Sequence, residues 1–345
     1  MEQLSREIIL PLILFIVFSF RVCRAVDCGG TQVSRTIVVD QSGKSDFKTI
    51  QKAVNSVATN NNRWVKIHIN AGTYKEQVQI PSTKPCIILE GRGKDITTIT
   101  YNDHQRTDIS ATFSSYPNNV VAKGITFENS FDIAAGLNLQ GRKMENCGSH
   151  APALAARIYG DKCAFYDCNF IGFQDTLWDV QGRHYFKNCH IKGAVDFIFG
   201  NGQSYYEDCV VNATSPGYIT AQGRSSNSEL SGFVFRRGSV VGSGSSLLGR
   251  AYGPCSRVIF QETNLGSVVD PRGWDAWNFT KHTGCISYAE IECSGAGANT
   301  SKRVPWMKKL KTSALRGQFS KSKFINQDSW LTKLPLNRRH LFLKI

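Results

Sequence analysis

The sequence predicts a single all-β domain folded as a parallel β-helix, with a short N-terminal capping helix and an irregular C-terminal tail. The first observation is an internal repeat in which four segments place an aromatic or apolar residue shortly before an Asn/Asp-Cys pair. Their cysteines, Cys147, Cys168, Cys189 and Cys209, are 21, 21 and 20 residues apart, which suits one turn of a solenoid of short strands. The second is the composition, because 30 glycines and frequent Asn favour a turn-rich β protein.

Equivalent residues on successive coils of such a solenoid stack about 4.8 Å apart, so the four cysteines would form an internal ladder. Neighbouring members would then lie within the Cα separation that a disulfide allows, about 4.4–6.8 Å. Two outcomes fit: disulfides along the ladder, or a row of free buried thiols that behave as small hydrophobic groups. The spacing does not choose between them.

The capping helix is predicted over residues 49–57, where Ile50, Val54 and Val57 fall on one face. Asp46 is expected to cap its N-terminus. A helix at this end would shield the apolar interior of the first coil from water. Repeat-like stretches such as Phe233-Val234-Phe235 predict that the coils continue on both sides of the four cysteine segments.

The first 25 residues are predicted to be a secretory signal peptide. An apolar run spans residues 8–20, and Cys23-Arg24-Ala25 supplies small residues for cleavage near Ala25. The alternative is an uncleaved anchor, but the run is shorter than the roughly 20 residues that span a bilayer. We therefore expect a secreted protein with no stable membrane insertion.

Secretion permits disulfides and glycosylation. Ten cysteines remain after the predicted cleavage removes Cys23, although a domain of this size does not depend on many disulfides. Sequons at Asn212, Asn278 and Asn299 predict a glycoprotein.

The net charge of +14 is concentrated at the C-terminus. Residues 302–345 contain twelve Lys/Arg and one acid, Asp328, which leaves the body of the chain almost neutral. A basic segment could bind nucleic acid or be a solvated end; in a secreted protein an acidic polysaccharide or a membrane surface is the better partner. We place the domain at residues 26–330 and a basic tail at 331–345. Residues 306–310 and 315–319 are expected to form short helices or irregular structure along the outside.

Two aspartates stand out as candidates for chemistry. No Gly-X-Ser-X-Gly elbow is present, and no histidine pair has the spacing of metal ligands, so no metal or other cofactor is expected. Asp175 and Asp196 both have apolar and aromatic neighbours, and they are 21 residues apart, which is the repeat period. The period places them on one face of neighbouring coils, where two close carboxylates should have separated pKa values. The alternative is that each merely caps a turn.

The chain resembles the plant pectinesterases, or pectin methylesterases, over roughly residues 35–330. The most specific stretches are Gln174-Asp175-Thr176-Leu177 and Asp196-Phe197-Ile198-Phe199-Gly200, accompanied by Leu248-Gly249-Arg250 and Asp270-Pro271-Arg272-Gly273-Trp274. The resemblance implies a right-handed parallel β-helix and hydrolysis of galacturonate methyl esters in pectin, in the cell wall. It implies methyl-esterified pectin as substrate and a proteinaceous pectinesterase inhibitor as a further partner, with no nucleic acid. The family's usual inhibitor-like N-terminal region is expected to be absent.

The resemblance also assigns roles. Asp196 matches the nucleophile and Asp175 the general acid and base. Gln174 matches a donor to the oxyanion, and Arg250 matches the arginine that pairs with the nucleophile and should lower its pKa. Further positions match the aromatic lining of the sugar groove: Phe199, Tyr252 and Trp274.

Two departures from the family pattern affect the surroundings of these residues. Pro152 occupies the place of a second oxyanion glutamine and has no side-chain donor, so Gln174 acts alone or with a substitute. Ala251-Tyr252 replaces a Pro-Trp pair, and Tyr252 offers less stacking area than Trp. These changes put rate and substrate preference in question more than reaction type.

Two other functions remain open at this point. A pectate lyase or polygalacturonase could use a similar β-helix, and a lyase would need carboxylates that bind calcium. A non-catalytic wall-binding protein could retain the fold and hold acidic pectin through its basic tail.

Overall fold

The computed structural model describes residues 28–104, 106–131, 151–309 and 317–336. The predicted signal peptide, Cys147 and residues 337–345 of the basic tail lie outside the described residues. The described strands form three parallel sheets, named A, B and C here. Each complete turn of the chain contributes one strand to each sheet, and the first and last strands, β1 (Val33–Val39) and β26 (Ser287–Ile291), add to sheet A alone. The architecture is an all-β, right-handed parallel β-helix, as predicted.

The strands of sheet A are β1 (Val33–Val39), β2 (Trp64–Ile69), β5 (Ile87–Gly91), β8 (Val120–Lys123), β11 (Cys163–Tyr166), β14 (Arg183–Lys187), β17 (Gln203–Glu207), β20 (Gly232–Arg236), β23 (Arg257–Gln261) and β26 (Ser287–Ile291). Those of sheet B are β3 (Gly72–Lys75), β6 (Thr97–Tyr101), β9 (Thr126–Asn129), β12 (Asn169–Ile171), β15 (His190–Gly193), β18 (Val210–Ala213), β21 (Ser239–Gly242) and β24 (Asn264–Leu265). Those of sheet C are β4 (Val78–Ile80), β7 (Phe113–Ser115), β10 (Ala156–Ile158), β13 (Leu177–Asp179), β16 (Ile198–Gly200), β19 (Gly217–Gln222), β22 (Ser246–Ala251) and β25 (Trp274–Asp275).

The α-helices whose bounds lie within the described residues are α1 (Ile50–Ser56) and α2 (Lys321–Phe324), and both are short. Single turns of 3₁₀ helix occur at Trp277–Phe279, Thr283–Cys285, Ala296–Ala298 and Trp330–Lys333. Among the described residues, no helix has the length and apolar character to cross a membrane.

The repeat found in the sequence marks the corner between sheets A and B. Asp167, Asn188 and Asp208, each directly before a repeat cysteine, have φ angles of 50°, 53° and 55°. Asn and Asp tolerate this left-handed conformation better than most residues, so the corner selects them. The following side chains, Cys168 and Cys189 among them, point into the core.

The described members of the cysteine ladder are free thiols, which decides between the two alternatives for this part of the chain. Cys168, Cys189 and Cys209 are buried and unpaired, and Cys189 and Cys209 lie against main-chain carbonyls of the preceding coil. Burial raises the pKa of Cys189 well above the ordinary value of a thiol. These cysteines therefore act as small core residues.

Two disulfides lie away from the ladder, between Cys28 and Cys86 and between Cys255 and Cys285. The first ties the beginning of the described chain to the start of β5. The second joins the turn after β22 to the last described coil.

A ladder of stacked rings fills the core behind sheet A. The register aligns Phe165, Phe186, Tyr206, Phe235 and Phe260 on successive strands. Neighbouring rings are 4.5–5.0 Å apart and nearly parallel. Because each ring stacks on the same position of the next coil, the ladder fixes the register on which the neighbouring site depends.

Helix α1 covers the N-terminal end of the core, as predicted, but its cap differs from the prediction. Thr49 is the N-cap and accepts from the Lys52 N–H. The Glu76 carboxylate accepts the first two helical N–H groups, those of Ile50 and Gln51, at 2.9 and 3.0 Å. Asp46 instead accepts the Val38 N–H at 2.8 Å, because its side chain closes a turn beside β1.

The C-terminal segment lies over the outer face of sheet A. Phe319, Phe324, Trp330 and Leu334 are buried against that face. The packed segment extends at least to Leu336, past residue 331, where the basic tail was predicted to begin. Residues 306–309 are irregular, which is one of the two alternatives predicted for them.

Candidate active site

The site lies at the corner between sheets B and C. Asp175 falls between β12 and β13, and Asp196 occupies the same place one coil later, between β15 and β16. An isolated bridge pairs Gln174 with Val195, and the strands that follow pair Leu177 with Ile198. This register puts the two aspartates side by side on adjacent coils, as the 21-residue spacing predicted.

The backbone at this corner also selects aspartate. Asp175 and Asp196 have φ angles of 60° and 49°, in the left-handed region that Asp tolerates. Each N–H is tied to the next coil: that of Asp175 to the Val195 carbonyl at 3.1 Å, and that of Asp196 to the Tyr218 carbonyl at 2.8 Å. The positions of both carboxylates are therefore set by the coil ladder.

Arg250, on β22, binds the carboxylate of Asp196 with two parallel hydrogen bonds. Its Nε donates to Oδ1 at 2.8 Å and its Nη2 to Oδ2 at 2.6 Å. Asp196 is only 9% exposed, so the ion pair is largely shielded from water. Two-point contacts of this kind fix direction as well as charge.

The guanidinium of Arg250 is surrounded by three aromatic rings. Its Cζ lies 4.3 Å from the ring centroid of Trp277, 5.3 Å from that of Tyr252 and 5.6 Å from that of Tyr218. Such rings attract a cation through their negative faces. The rings and Asp196 together restrict where this side chain can lie.

The environment of Asp175 is different. Its pKa is raised to about 7, first because burial disfavours the charged carboxylate and second because Asp196 places negative charge nearby. The positive charge of Arg250 and a hydrogen bond from Thr107 act in the opposite direction. Below pH 7, Asp175 therefore carries a proton next to a carboxylate that is paired with arginine.

Gln174 is buried directly beside the pair, with 7% of its surface exposed. The Ala151 N–H donates to its Oε1 at 3.1 Å, which fixes the orientation of the amide and leaves Nε2 as the group that can donate. Pro152 follows Ala151 and is buried. The group that contacts Gln174 here is the backbone N–H of Ala151. Pro152 has neither a side-chain donor nor a backbone N–H.

A row of outward-facing residues on sheet C extends from the site in both directions. The strand register aligns Arg157, Trp178, Phe199, Ala221 and Arg250. The rings of Trp178 and Phe199 stack at 5.4 Å, and the Arg157 guanidinium lies over Trp178 at 4.7 Å. These half-buried rings form a strip of surface beside the aspartate corner, which is called the groove here because it lies where the family resemblance places the sugar groove.

The rim of the groove differs in part from the sequence prediction. Phe199 lies in the row, and Tyr252 is 63% exposed beside Arg250. The prediction that Trp274 lines the groove is wrong, because its side chain is 1% exposed and stacks on Tyr288 in the core. On β25 the alternation of side chains turns Trp274 inward and Asp275 outward.

Sequence reasoning missed Trp277, which is 43% exposed and lies over Arg250. It begins the single 3₁₀ turn that follows β25 and has a φ of 51°, and neither the strand alternation nor the 21-residue period applies there. Its nearness to the Gly273-Trp274 motif was the available signal. In the described part of the chain, no cluster of three or more His, Cys, Asp or Glu side chains is arranged to hold a metal ion.

Comparison with known proteins gives a consistent result. The family model for pectinesterase matches residues 36–328. The chain is 47% identical to "Probable pectinesterase 29" of Arabidopsis thaliana over 307 residues, which cover 87% of this chain and 90% of that protein. It is 46% identical to "Probable pectinesterase 55" of the same plant, covering 87% of this chain and 91% of that protein.

Solved structures agree with the sequence comparison. The pectin methylesterase from carrot superimposes with a TM-score of 0.79 at 30% identity, covering 89% of this chain and 99% of the carrot chain. That from Aspergillus niger superimposes with a TM-score of 0.74 at 25% identity, covering 90% of this chain and 99% of the other.

Proposed function

The chain belongs to the pectinesterase family, and on that premise we propose that it hydrolyses galacturonate methyl esters in pectin, with Asp196 as nucleophile and Asp175 as general acid and base. Enzymes of this family are carboxylic ester hydrolases. The observation that supports the assignment best is the contrast between the two carboxylates. Asp196 is paired with Arg250. The pKa of Asp175 is raised to about 7, so this carboxyl keeps its proton at lower pH.

The first half of the reaction would form an acyl-enzyme. An Asp196 oxygen attacks the ester carbonyl carbon, and the negative charge moves to the carbonyl oxygen. The Nε2–H of Gln174 is placed to donate to that oxygen. When the tetrahedral intermediate collapses, the bond to methoxide breaks and Asp175 donates its proton, so methanol leaves. Asp196 then carries the galacturonyl group as an anhydride.

The second half would return the enzyme to its starting state. Asp175, now a carboxylate, takes a proton from a water molecule, and the hydroxyl attacks the galacturonyl carbon of the anhydride. The carbon–oxygen bond to Asp196 breaks, which releases a galacturonic acid whose carboxyl then loses its proton to the solvent. Asp175 is left protonated by the proton it took from water, and Asp196 returns to its ion pair with Arg250. The sugar chain stays intact throughout.

Plant pectinesterases act on the cell wall, and we infer that this chain reaches the wall by secretion. The signal-like segment at residues 1–25 and the two disulfides support this inference. Two of the sequons, Asn278 and Asn299, are exposed and accessible to glycosylation. A proteinaceous pectinesterase inhibitor is proposed as a further partner on the family resemblance alone.

The test is methanol release from highly methyl-esterified pectin by the purified mature protein. Asp196→Asn should lower the rate at least about 10³-fold, because the nucleophile is removed. Asp167→Asn is the matched control, since Asp167 has the same left-handed backbone at a different corner and the next coil carries Asn188 there. Full activity in Asp196→Asn would rule out the assigned nucleophile.

Product analysis separates the alternatives. An esterase leaves the polymer length unchanged and releases methanol. A lyase shortens the chain, produces unsaturated ends and loses activity with a chelator, and a polygalacturonase shortens the chain by hydrolysis. Binding to pectin without methanol release would support the non-catalytic wall protein instead.

A further inference from the structure

Asp275 lies outside the predicted site but close to it. It is the Cα partner of Arg250 in the pairing of β22 with β25, so both side chains face the groove. Each oxygen of the Asp275 carboxylate accepts one hydrogen bond. Oδ2 accepts from the Tyr218 hydroxyl at 2.8 Å, and Oδ1 accepts from the Trp277 backbone N–H at 2.7 Å. One carboxylate therefore joins two of the rings that surround Arg250.

The first contact, from the Tyr218 hydroxyl to Asp275, involves a residue that is hydrogen-bonded to the backbone of the nucleophile. The Tyr218 carbonyl accepts the Asp196 N–H at 2.8 Å, and the Tyr218 ring lies 5.6 Å from the Arg250 guanidinium. Burial, and next the hydrogen bond to Asp275, raise the pKa of Tyr218 to about 12. The phenol therefore keeps its proton and remains a donor to Asp275 at neutral pH.

The second contact, from the Trp277 N–H to Asp275, positions a ring that lies against Arg250, the partner of the nucleophile. Trp277 has a φ of 51°, which costs a bulky residue energy, and its exposed ring is not held in place by the core. The bond from its N–H to Asp275 fixes this turn. In the fixed position the ring lies 4.3 Å from Arg250 and meets the Tyr218 ring edge-on at 6.0 Å.

Two arginines near Asp275 are paired with other carboxylates. Arg272 is the cation that precedes it on the rim, and its Nε binds Asp270 at 3.1 Å. Arg250 is engaged by Asp196. The hydrogen bonds that the Asp275 carboxylate accepts therefore come from two neutral donors, the Tyr218 hydroxyl and the Trp277 N–H.

We propose that Asp275 is a positioning residue, which sets Tyr218 and Trp277 around Arg250 so that Arg250 holds Asp196 in the direction of attack. The inference rests on the proposed function, because it assigns Asp196 as the nucleophile. Asp275 makes no contact with the reacting atoms. Its loss should reduce kcat more than it raises KM, since the affected group is the nucleophile.

The experiment compares Asp275→Ala, Asp275→Asn and the control Asp95→Ala, which removes an exposed carboxylate in the turn between β5 and β6, away from Arg250. We expect kcat to fall about 10–100-fold in Asp275→Ala, with KM changed less than about threefold. Asp275→Asn keeps an acceptor for Trp277 and a polar partner for Tyr218, so it should recover most of the rate. Asp95→Ala should match the wild type.

A direct readout of Arg250 accompanies the kinetics. Its Nε–H resonance, identified by its disappearance in Arg250→Lys, should be sharp and slow to exchange in the wild type and in Asp275→Asn. It should broaden in Asp275→Ala. Wild-type kcat in Asp275→Ala, or a lowered kcat with an unchanged Arg250 signal, would overturn the proposal.

If Asp275→Ala does not fold, Tyr218→Phe tests the proposal in its place. This variant removes only the hydroxyl, and we expect kcat to fall about 3–10-fold with a broader Arg250 signal. An unchanged rate and signal would contradict the proposal. If the wild type releases no methanol from pectin, the proposed function fails, but the Arg250 signal still tests the positioning role of Asp275.

Discussion

Arg250 reaches across the intervening strand β19 to bind both carboxylate oxygens of Asp196, with N–O distances of 2.8 and 2.6 Å. The two residues are 54 positions apart in the chain, and β22, which carries Arg250, lies two strands from β16, which follows Asp196. A guanidinium can make this two-point contact and lie against aromatic rings at the same time, whereas an ammonium cannot. The relationship therefore depends on arginine and not on positive charge alone.

Replacement of Arg250 by Lys should lower kcat by about 100-fold, because one of the two hydrogen bonds and the ring contacts are lost while the charge remains. Methanol release under saturating pectin measures this. The matched control is Arg236→Lys, since Arg236 pairs with Glu262 on sheet A at 3.2 Å, away from the groove. Equal activity in Arg250→Lys and wild type would show that charge alone suffices.

The raised pKa of Asp175 predicts a pH-dependent stability. The folded-state pKa is about 7 and the unfolded value is about 3.9. The folded protein therefore binds more protons between these values, and its stability falls as pH rises through this window. Asp175→Asn removes the effect. Its free energy of unfolding, relative to wild type, should increase by about 2–3 kcal/mol from pH 5 to pH 8.

Urea unfolding at pH 5, 6, 7 and 8 tests this, with Asp161→Asn as a control of opposite sign. Burial alone would raise the pKa of Asp161, but hydrogen bonds from Arg183 lower it overall. That carboxylate stabilises the fold above its unfolded pKa, so Asp161→Asn should be less stable by a constant amount from pH 5 to 8. A constant difference for Asp175→Asn as well would contradict the raised pKa.

Removal of the Gln174 amide should lower kcat about 10²–10³-fold with little change in KM, because the donor stabilises the oxyanion only in the transition state. Gln174→Ala tests this by steady-state methanol release. Gln79→Ala is the control, since Gln79 is exposed near the other end of sheet C. A loss below about threefold would mean that another group, such as a backbone N–H, holds the oxyanion.

The sequence predicted the features that repeat with the coils. The Asn/Asp-Cys repeat at Cys168, Cys189 and Cys209 and the 21-residue spacing of Asp175 and Asp196 follow from one backbone geometry repeated along the axis. That geometry can be read as a period, so the solenoid and the aspartate pair were both accessible from the sequence.

Features that do not repeat were predicted less well. Trp274 was placed in the groove because its motif is shared with the family, but side-chain alternation on β25 turns it inward. Trp277 meets Arg250 through the turn that follows β25, where its backbone N–H donates to Asp275. The pairing of Cys255 with Cys285 depends on how two loops approach each other. None of these relationships leaves a periodic trace in the sequence.

The basic tail predicts salt-sensitive retention on acidic pectin. Residues 337–345 contain Arg338, Arg339 and Lys344 and no acid, so their removal takes away three positive charges. A truncation after Leu336 should elute from immobilised polygalacturonate at lower salt than the full mature chain. Methanol release from short methyl-esterified oligogalacturonates should not change, because Asp175, Asp196 and Arg250 are retained.

The truncation must begin after Leu336 if a change in elution is to be attributed to the lost positive charges. Removal from residue 331 onward would also strip Leu334 from the face of sheet A, where it is buried, and would lower stability by loss of apolar packing. Replacement of the three basic residues by Gln is the matched control and should reproduce the shift of the truncation. Elution at the same salt for both variants and the full chain would show that the tail plays no part in retention.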